Sequence, residues 1–497
     1  MDNDDFQRKT DSEIWALLPG LEAREKCDAL RVLGLRAFER REFARAASLS
    51  GQVAEIAMEM DDPRMAGWSL SDQGVATCRD GDCAEAITYF REAIRCYESA
   101  GDQGGIAGAL GSISSCALNV DDHAQALDAA STAYELAGAE EDSLGAGRAA
   151  YNAGKACYLL DREQDSLQWL AKARAAFRAE GDVAGVATVD DYTATVHDYL
   201  GNFDEAESLL RSCLHIAETT SDGLDEAYAR RRLGRALMRL NRNEDAVVFL
   251  RQARDAYQAK DKLRWVAWID RDLADALTRL DEDDEAIRIY ERAQALFDGF
   301  GEDRQVNYCR MQRAWLHDVY DRPEEAERLI RQVLAAIAAD PDLHPGDYPV
   351  WVNLRLCEVL LGTGRPQEAL DVVGQVATVE QMRESYAVWR HVVAARALFE
   401  LGQEDAALTE VNLGLELTTQ ELMNGDTGYL YEIRGRIGLQ SGAETAERDL
   451  AHAIAIHLAS GLHQRAAELA KHFMPNLSPK PEQSDSAERG VEPAPEH

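Results

Sequence analysis

The sequence predicts an all-α protein made of repeated helix hairpins, and three observations support this prediction. Helix-forming residues dominate the composition, and glycine and proline are sparse, at 35 and 12 of 497 residues. A small residue recurs with a spacing of 40 along most of the chain. A second small residue precedes it by twelve positions in all but the last repeat. A regular period of this length is typical of stacked repeats rather than of several separate globular domains.

The main repeat signal is a column of small residues, called the marker column below. Its first eight members are spaced by 40 without exception, and the last three steps are 43, 38 and 39. Each marker follows a polar turn, as in "GNFDEAESLL" (201–210) and "DEDDEAIRIY" (281–290). Eight equal steps do not arise by chance, so the chain contains about eleven repeats. The markers are Ala46, Ala86, Ala126, Ser166, Ala206, Ala246, Ala286, Ala326, Ala369, Ala407 and Ala446.

The second column of small residues lies on the other side of the polar turn. It contains Gly34, Gly74 and Gly154, and only the last repeat departs from it, with Arg434. Two small columns flanking a turn indicate two helices, A and B, whose backbones approach closely in each repeat. Acidic residues follow the turn, where they complement the dipole of helix B. Each repeat is therefore predicted to be a helix–turn–helix unit.

A unit with a small residue late in helix A and another early in helix B resembles the tetratricopeptide repeat family. The forty-residue period is similar to that of kinesin light chains, polarity adaptors and bacterial peptide-pheromone receptors. The resemblance covers residues from about 22 to 472. It implies a right-handed superhelical solenoid in which the A helices line a concave groove.

The repeats divide the chain into five predicted segments. Residues 1–21 form a short lead, and residues 22–337 hold repeats 1 to 8. The segment 338–350 carries three prolines and a glycine, so we expect a bend there before repeats 9 to 11 at 351–473. The tail 474–497 is rich in proline, serine and glutamate, and we expect it to be disordered.

Charge and composition argue against several classes of partner. The 89 acidic and 53 basic residues give a formal net charge of −36, which disfavours direct binding to nucleic acid or anionic membranes. No apolar run of 18 residues and no signal peptide are present, so we expect a cytoplasmic protein. Only 8 of the basic residues are lysine, a bias that suggests a bacterial origin.

No motif in the sequence indicates catalysis, a cofactor or a metal. The nine cysteines are scattered, odd in number and without a C-x-x-C pair, so they are interpreted as reduced thiols. His452, His457 and His463 do not share a helical face, which disfavours a metal site. Phosphate-loop, zinc-protease and hydrolase motifs are missing from the sequence. We therefore expect a protein without enzymatic activity, cofactor or metal.

Helix periodicity identifies the face of helix A that the resemblance places in the groove. Positions 18, 15, 11 and 7 before the marker share one side of the helix and are called the groove columns below. Position 18 is aromatic in six repeats, and the segment "AYARRRLGRALMRL" (227–240) puts three of its arginines in the other columns. Arginine binds carboxylates or phosphates, and aromatic rings supply rigid contact area. The predicted partner-binding residues are Tyr151, Lys155, Tyr228, Arg231, Arg235, Arg239, Trp268, Arg271, Arg279, Tyr308 and Trp315.

The leading functional hypothesis is a protein-interaction scaffold whose groove binds an acidic or phosphorylated segment of a peptide or protein. One alternative is a regulatory sensor, in which a bound peptide or small ligand controls an effector. Another is a structural subunit of a larger assembly. Asp191, Asp198 and Asp275 lie on the same face as the arginines, so an internal ladder of ion pairs also fits the sequence.

Overall fold

The computed structural model describes residues 3–220, 224–319, 321–344, 346–376, 383–418 and 425–473. Within these ranges the chain is all-α and contains no strand, as predicted. Consecutive helices of the described residues pack in pairs and form eleven hairpins. The chain divides into two compact units, Met1–Ala256 and Tyr257–His497, called unit 1 and unit 2 below.

Unit 1 contains a short helical lead and the first five hairpins, followed by most of the sixth. Its helices are α1 (Asn3–Gln7), α2 (Asp11–Leu17), a 3-10 helix (Leu18–Gly20), α3 (Ala23–Glu39), α4 (Phe43–Glu59), α5 (Pro63–Asp80), α6 (Cys83–Ala100), α7 (Gln103–Asn119), α8 (His123–Ala139), α9 (Ser143–Leu159), α10 (Glu163–Ala179), α11 (Val183–Tyr199), α12 (Phe203–Thr220), α13 (Leu224–Arg239) and α14 (Asn243–Ala259), whose last residues belong to unit 2.

Unit 2 contains the remaining hairpins and a final helix. Its helices are α15 (Leu263–Thr278), α16 (Asp283–Gly299), α17 (Asp303–Val319), α18 (Pro323–Ala339), α19 (Tyr348–Gly362), α20 (Pro366–Val373), α21 (Glu384–Glu400), α22 (Glu404–Glu416), α23 (Gly425–Ser441), α24 (Ala446–Ala459) and α25 (His463–Phe473).

The turns between helices explain the constant repeat length. From Arg41 to Asp321, a residue with positive φ recurs every 20 positions in the described turns, and it is usually aspartate or glycine. In several turns the following residue is an aspartate that caps the next helix. Asp102, for example, accepts a hydrogen bond from the backbone N–H of Gly105 at 2.9 Å. Helices of 16 to 18 residues joined by these short turns give two helices in each 40 residues.

The two columns of small residues lie where helices A and B of one repeat touch. The markers Ala86 and Ala126 are fully buried. A Cβ atom added to Gly154 would lie 2.8 Å from Leu170 Cγ. No larger side chain fits at such a position without displacing its neighbour, so the columns permit the close packing of each hairpin.

Three predicted features outside the repeats have different outcomes. The lead is helical, and its Phe6 and Ile14 are buried in the core that also contains Leu30. In the segment 338–350, α18 ends at Ala339 and α19 begins at Tyr348, and the bend stays a prediction. The predicted disordered tail, 474–497, lies outside the described residues.

The prediction that all nine cysteines are reduced thiols is wrong for one pair. Cys78 at the end of α5 and Cys83 at the start of α6 form a disulfide across the turn of repeat 2. The turn brings their Cα atoms to 4.3 Å although the two residues are five positions apart. A search for C-x-x-C pairs does not detect two cysteines that are five positions apart.

None of the helices in the described residues combines the length and the apolar character that crossing a membrane would need.

Candidate functional site

The groove columns of repeats 3 to 5 face an open cavity in unit 1. The cavity has a volume of about 570 Å³ and is bordered by α7, α9 and α11, the A helices of these repeats. We call it the repeat 3–5 groove. Its lining from the groove columns consists of Gly108, Gly111, Ser115, Arg148, Tyr151 and Thr188.

Two glycines in the middle of α7 keep this groove open. A Cβ atom added to Gly108 or Gly111 would meet no atom within 4 Å, so packing does not require glycine at either position. Glycine inside a helix lowers stability by about 1 kcal/mol relative to alanine. The two positions therefore leave space in which the backbone of another chain can approach α7 closely.

Polar groups border the space above these glycines. Arg148 is exposed, and its guanidinium has no ion pair within the described part of the chain. Asn152 donates a hydrogen bond to Gly111 O at 3.5 Å. Asp142 and Asp182 also line the groove, but each caps its own helix by accepting a backbone N–H bond, at 2.9 and 2.8 Å. Arg148 is thus the cation that the groove offers to a ligand.

Lys155 lies one helical turn from the groove lining, on a platform of tyrosines. Its Nζ is 5.7 Å from the ring centroid of Tyr151 and 5.8 Å from that of Tyr192. The rings of Tyr151 and Tyr192 meet edge to face, and Tyr158 continues the row. No carboxylate among the described residues pairs with Lys155, and burial lowers the pKa of its ammonium group. An anion beside Lys155 would offset the free-energy cost of burying its charged ammonium group.

The arginines of segment 227–240 do not form one uniformly exposed row along the helix. Arg231 is buried, and the Nε of Arg239 lies 3.7 Å from Asp198 Oδ1. Arg235 is exposed and has no ion pair within the described residues. These three arginines therefore have different environments, which the groove columns alone did not reveal.

Arg232, which the groove columns omit, forms the main ion pair of this region. Its Nε donates to Asp191 Oδ1 at 2.8 Å and its Nη2 donates to Thr195 Oγ1 at 2.7 Å. Tyr228 adds a hydrogen bond from its hydroxyl to Asp191 Oδ2 at 3.2 Å. Although burial acts to lower it, Asp191 raises the pKa of Arg232 above its ordinary value. These contacts join α11 to α13 and correspond to the internal ladder that the sequence left open.

Three predicted residues of unit 2 come together around Arg271. Its guanidinium carbon lies 4.7 Å from the centroid of the Trp268 ring and 5.3 Å from that of Tyr308. Its Nη1 donates to Gln305 Oε1 and its Nη2 to Asp272 Oδ1, both at 2.9 Å. The guanidinium thus contacts two aromatic rings and two polar side chains of the protein itself. Of the remaining predicted residues, Arg279 is exposed and Trp315 is half-buried.

Asp275 is the acidic centre of the same cluster. It accepts a hydrogen bond from the Tyr308 hydroxyl at 3.0 Å and another from the Tyr290 hydroxyl. Burial raises the pKa of Asp275 to about 6, although Arg271 acts in the opposite direction. The cluster is therefore a buried network that titrates close to neutral pH.

Comparison with known proteins places a family match in the middle of the chain. Residues 186–259 match the family model described as tetratricopeptide repeat. The matched segment contains α12, α13 and α14 and most of α11, and hairpins of the same form continue on both sides. No curated protein sequence matches the chain.

Several solved structures are similar to parts of the chain. The apo form of the quorum sensor NprR from B. thuringiensis has 13% identity over 65% of this chain and 92% of that chain, with a TM-score of 0.49. BtubC from P. vanneervenii has 16% identity over 45% and 92%, with a TM-score of 0.41. Aspartyl phosphate phosphatase F from Bacillus subtilis has 14% identity over 54% and 70%, with a TM-score of 0.44.

Proposed function

On the premise that the chain carries tetratricopeptide repeats, we propose that it is a non-enzymatic, peptide-binding scaffold or regulator. The repeat 3–5 groove holds an extended acidic or phosphorylated segment of a partner protein. Arg148 and Lys155 contact acidic groups of this segment, and Tyr151 supplies apolar contact area. Arg235, exposed and unpaired among the described residues, is a further contact. Tyr228, Arg239, Arg271 and Tyr308 are assigned instead to contacts between helices.

The open space over Gly108 and Gly111 is the observation that carries this proposal. Neither glycine is required by packing, and each lowers the stability of α7. An extended peptide needs backbone access more than it needs a deep apolar pocket, and a strip of glycine and serine on α7 gives that access.

Two cations without carboxylate partners determine the chemistry of the proposed segment. A charge-assisted hydrogen bond to a shielded cation contributes about 1.5–3 kcal/mol, and an exposed one contributes less. Lys155 is half-buried and Arg148 is exposed, so Lys155 should contribute more to affinity. A basic segment would instead be repelled by both.

Selection from a randomised library of short displayed peptides tests the groove. We expect the wild-type protein to enrich peptides rich in aspartate and glutamate. The double variant Gly108→Leu/Gly111→Leu fills the groove, and the selected peptides should bind it at least about a hundredfold more weakly. Gly138→Leu is the matched control, because Gly138 is an exposed glycine of helix B with open space around it. Equal binding to wild type and to the filled variant would refute the proposed site.

The charge requirement has its own test with a selected peptide. Lys155→Gln should weaken binding about tenfold, and a peptide with lysine in place of its acidic residues should not bind. Lys172→Gln is the control, since Lys172 also packs on aromatic rings, those of Trp169 and Tyr134, but belongs to helix B. Two results together would contradict the acidic preference: selected peptides that are not enriched in acidic residues, and equal binding of these peptides to wild type and to Lys155→Gln. The groove itself would remain supported.

A further inference from the structure

Three cysteines of unit 1 come together at the turn of repeat 2. Cys78 ends α5, Cys83 begins α6, and Cys116 reaches them from α7. Their sulfur atoms all lie within 4.8 Å of one another. Each comes from a different helix, so the cluster depends on the packing of repeat 2 against repeat 3.

The surroundings of the cluster are apolar. Cys83 and Cys116 belong to the core that includes Ile87, Phe90 and Ile113. Burial alone raises the pKa of the Cys116 thiol, because no charged group opposes it. Two polar groups contact Cys83 Sγ: the amide Nδ2 of Asn119 at 3.6 Å and the backbone carbonyl oxygen of Cys78 at 3.9 Å. Such a shell favours a bound species that leaves the site without net charge.

We propose that Cys78, Cys83 and Cys116 form, in the reduced protein, a three-sulfur binding site for a trivalent thiophilic metalloid of the arsenite or antimonite class. The disulfide between Cys78 and Cys83 is the closed state of this site, because it removes two of the three sulfur ligands.

Charge balance favours a trivalent metalloid over the common thiolate-binding metals. Arsenous acid condenses with three thiols. Three As–O bonds break and three As–S bonds form, and each thiol proton leaves with a hydroxide as water. The product is neutral and no atom changes oxidation state. Zn²⁺ with three thiolates is anionic and prefers a fourth ligand, and the described cluster contains no fourth histidine, cysteine or carboxylate. Cu⁺ with three thiolates carries two negative charges, which the apolar shell would disfavour.

Arsenite is the probe for the test, with the full chain reduced by a phosphine that contains no thiol. The phosphine takes up oxygen from water as the disulfide becomes two thiols. Native mass spectrometry should show the wild-type mass increased by one arsenic atom less three hydrogen atoms. The oxidised protein, with Cys78 and Cys83 joined, should not bind.

Single substitutions distinguish a three-sulfur site from simple reaction of neighbouring thiols. Cys78→Ser, Cys83→Ser and Cys116→Ala should each weaken binding by about a hundredfold, since each removes one arm of a chelate. Cys96→Ser is the control, because Cys96 is a free cysteine of α6 outside the cluster. Undiminished binding by Cys116→Ala, with a normal helical circular dichroism spectrum, would overturn the proposal. So would tighter binding of Zn²⁺ or Cu⁺ than of arsenite to the reduced wild type.

Discussion

The groove columns of helix A border open space in repeats 3 to 5, whereas in repeats 7 and 8 their side chains fill that space with contacts inside the protein. The two regions are called the open and the filled columns below. In unit 1 the groove columns hold Gly108, Gly111 and Ser115 and border a cavity. In unit 2 they hold Trp268, Arg271 and Tyr308. Arg271 lies beside both rings and donates to Asp272, and the Tyr308 hydroxyl donates to Asp275. Position on the repeat is equivalent in the two regions. Side-chain size and charge pairing decide whether a column offers space to a partner or joins neighbouring helices.

The largest predicted difference between the two regions concerns their arginines. Arg271→Ala should lower the free energy of unfolding by about 3–5 kcal/mol, because it removes the buried cation that pairs with Asp272 and lies near Asp275. Arg148→Ala, in the open groove, should change it by less than about 0.5 kcal/mol. Urea denaturation of the three proteins measures both effects. Similar losses from the two substitutions would remove the distinction between open and filled columns.

The filled region should also respond to pH through Asp275. Its pKa is 3.8 in the unfolded chain and about 6 in the folded protein, so the folded state binds the proton more tightly. Stability therefore falls as pH rises between these values, and the full cost, about 3 kcal/mol, is present above pH 6. Asp275→Asn mimics the protonated carboxyl and should abolish this change.

The comparison that tests the pH effect is between wild type and Asp275→Asn. Their free energies of unfolding should be most similar at about pH 3.8 and below, where the wild-type carboxyl is protonated in both the folded and the unfolded chain, and the variant should be more stable at pH 8. A constant difference between the two proteins across this range would show that Asp275 does not titrate within it.

The eleven hairpins could be predicted from the sequence because their cause is local. Backbone contact between helices A and B demands small residues at two fixed positions, and a column of small residues is visible without a structure. Charge pairing is a different kind of property. Arg231, Arg232 and Arg235 lie within four positions of one another, yet the first is buried, the second pairs with Asp191 and the third is exposed. A helical wheel places a side chain on a face but does not identify its partner on the next helix.

The glycines of α7 show a second feature that sequence analysis alone does not identify. A search for aromatic and charged residues in the groove columns passes over Gly108 and Gly111, because they contribute no side chain. The available signal was that repeat 3 has glycine at two groove columns. Only the structure shows that both face open space, whereas Gly154 faces Leu170.

A smaller effect should separate the paired and exposed arginines within segment 227–240. Arg232→Ala removes the guanidinium that donates to Asp191 and Thr195, so we expect a loss of about 1–3 kcal/mol in the free energy of unfolding. Arg235→Ala should stay within about 0.5 kcal/mol but weaken binding of an acidic peptide. Thermal melts and peptide titrations on the two variants provide the measurement. The reverse assignment of stability and binding would mean that the internal ladder includes Arg235 instead.

The smallest predicted effect, and the one that most directly tests why the groove is open, is a gain in stability. Gly108→Ala and Gly111→Ala should each raise the free energy of unfolding by about 0.5–1 kcal/mol, because alanine loses less conformational freedom in a helix and its Cβ meets no neighbour. Gly154→Ala is the matched control and should lower stability by about 1–3 kcal/mol, since its Cβ would lie 2.8 Å from Leu170 Cγ. Urea denaturation compares the three variants with wild type. If alanine at the two groove positions also lowered the free energy of unfolding, the fold of α7 would require glycine there. The two glycines would then no longer indicate that the groove is kept open for a partner.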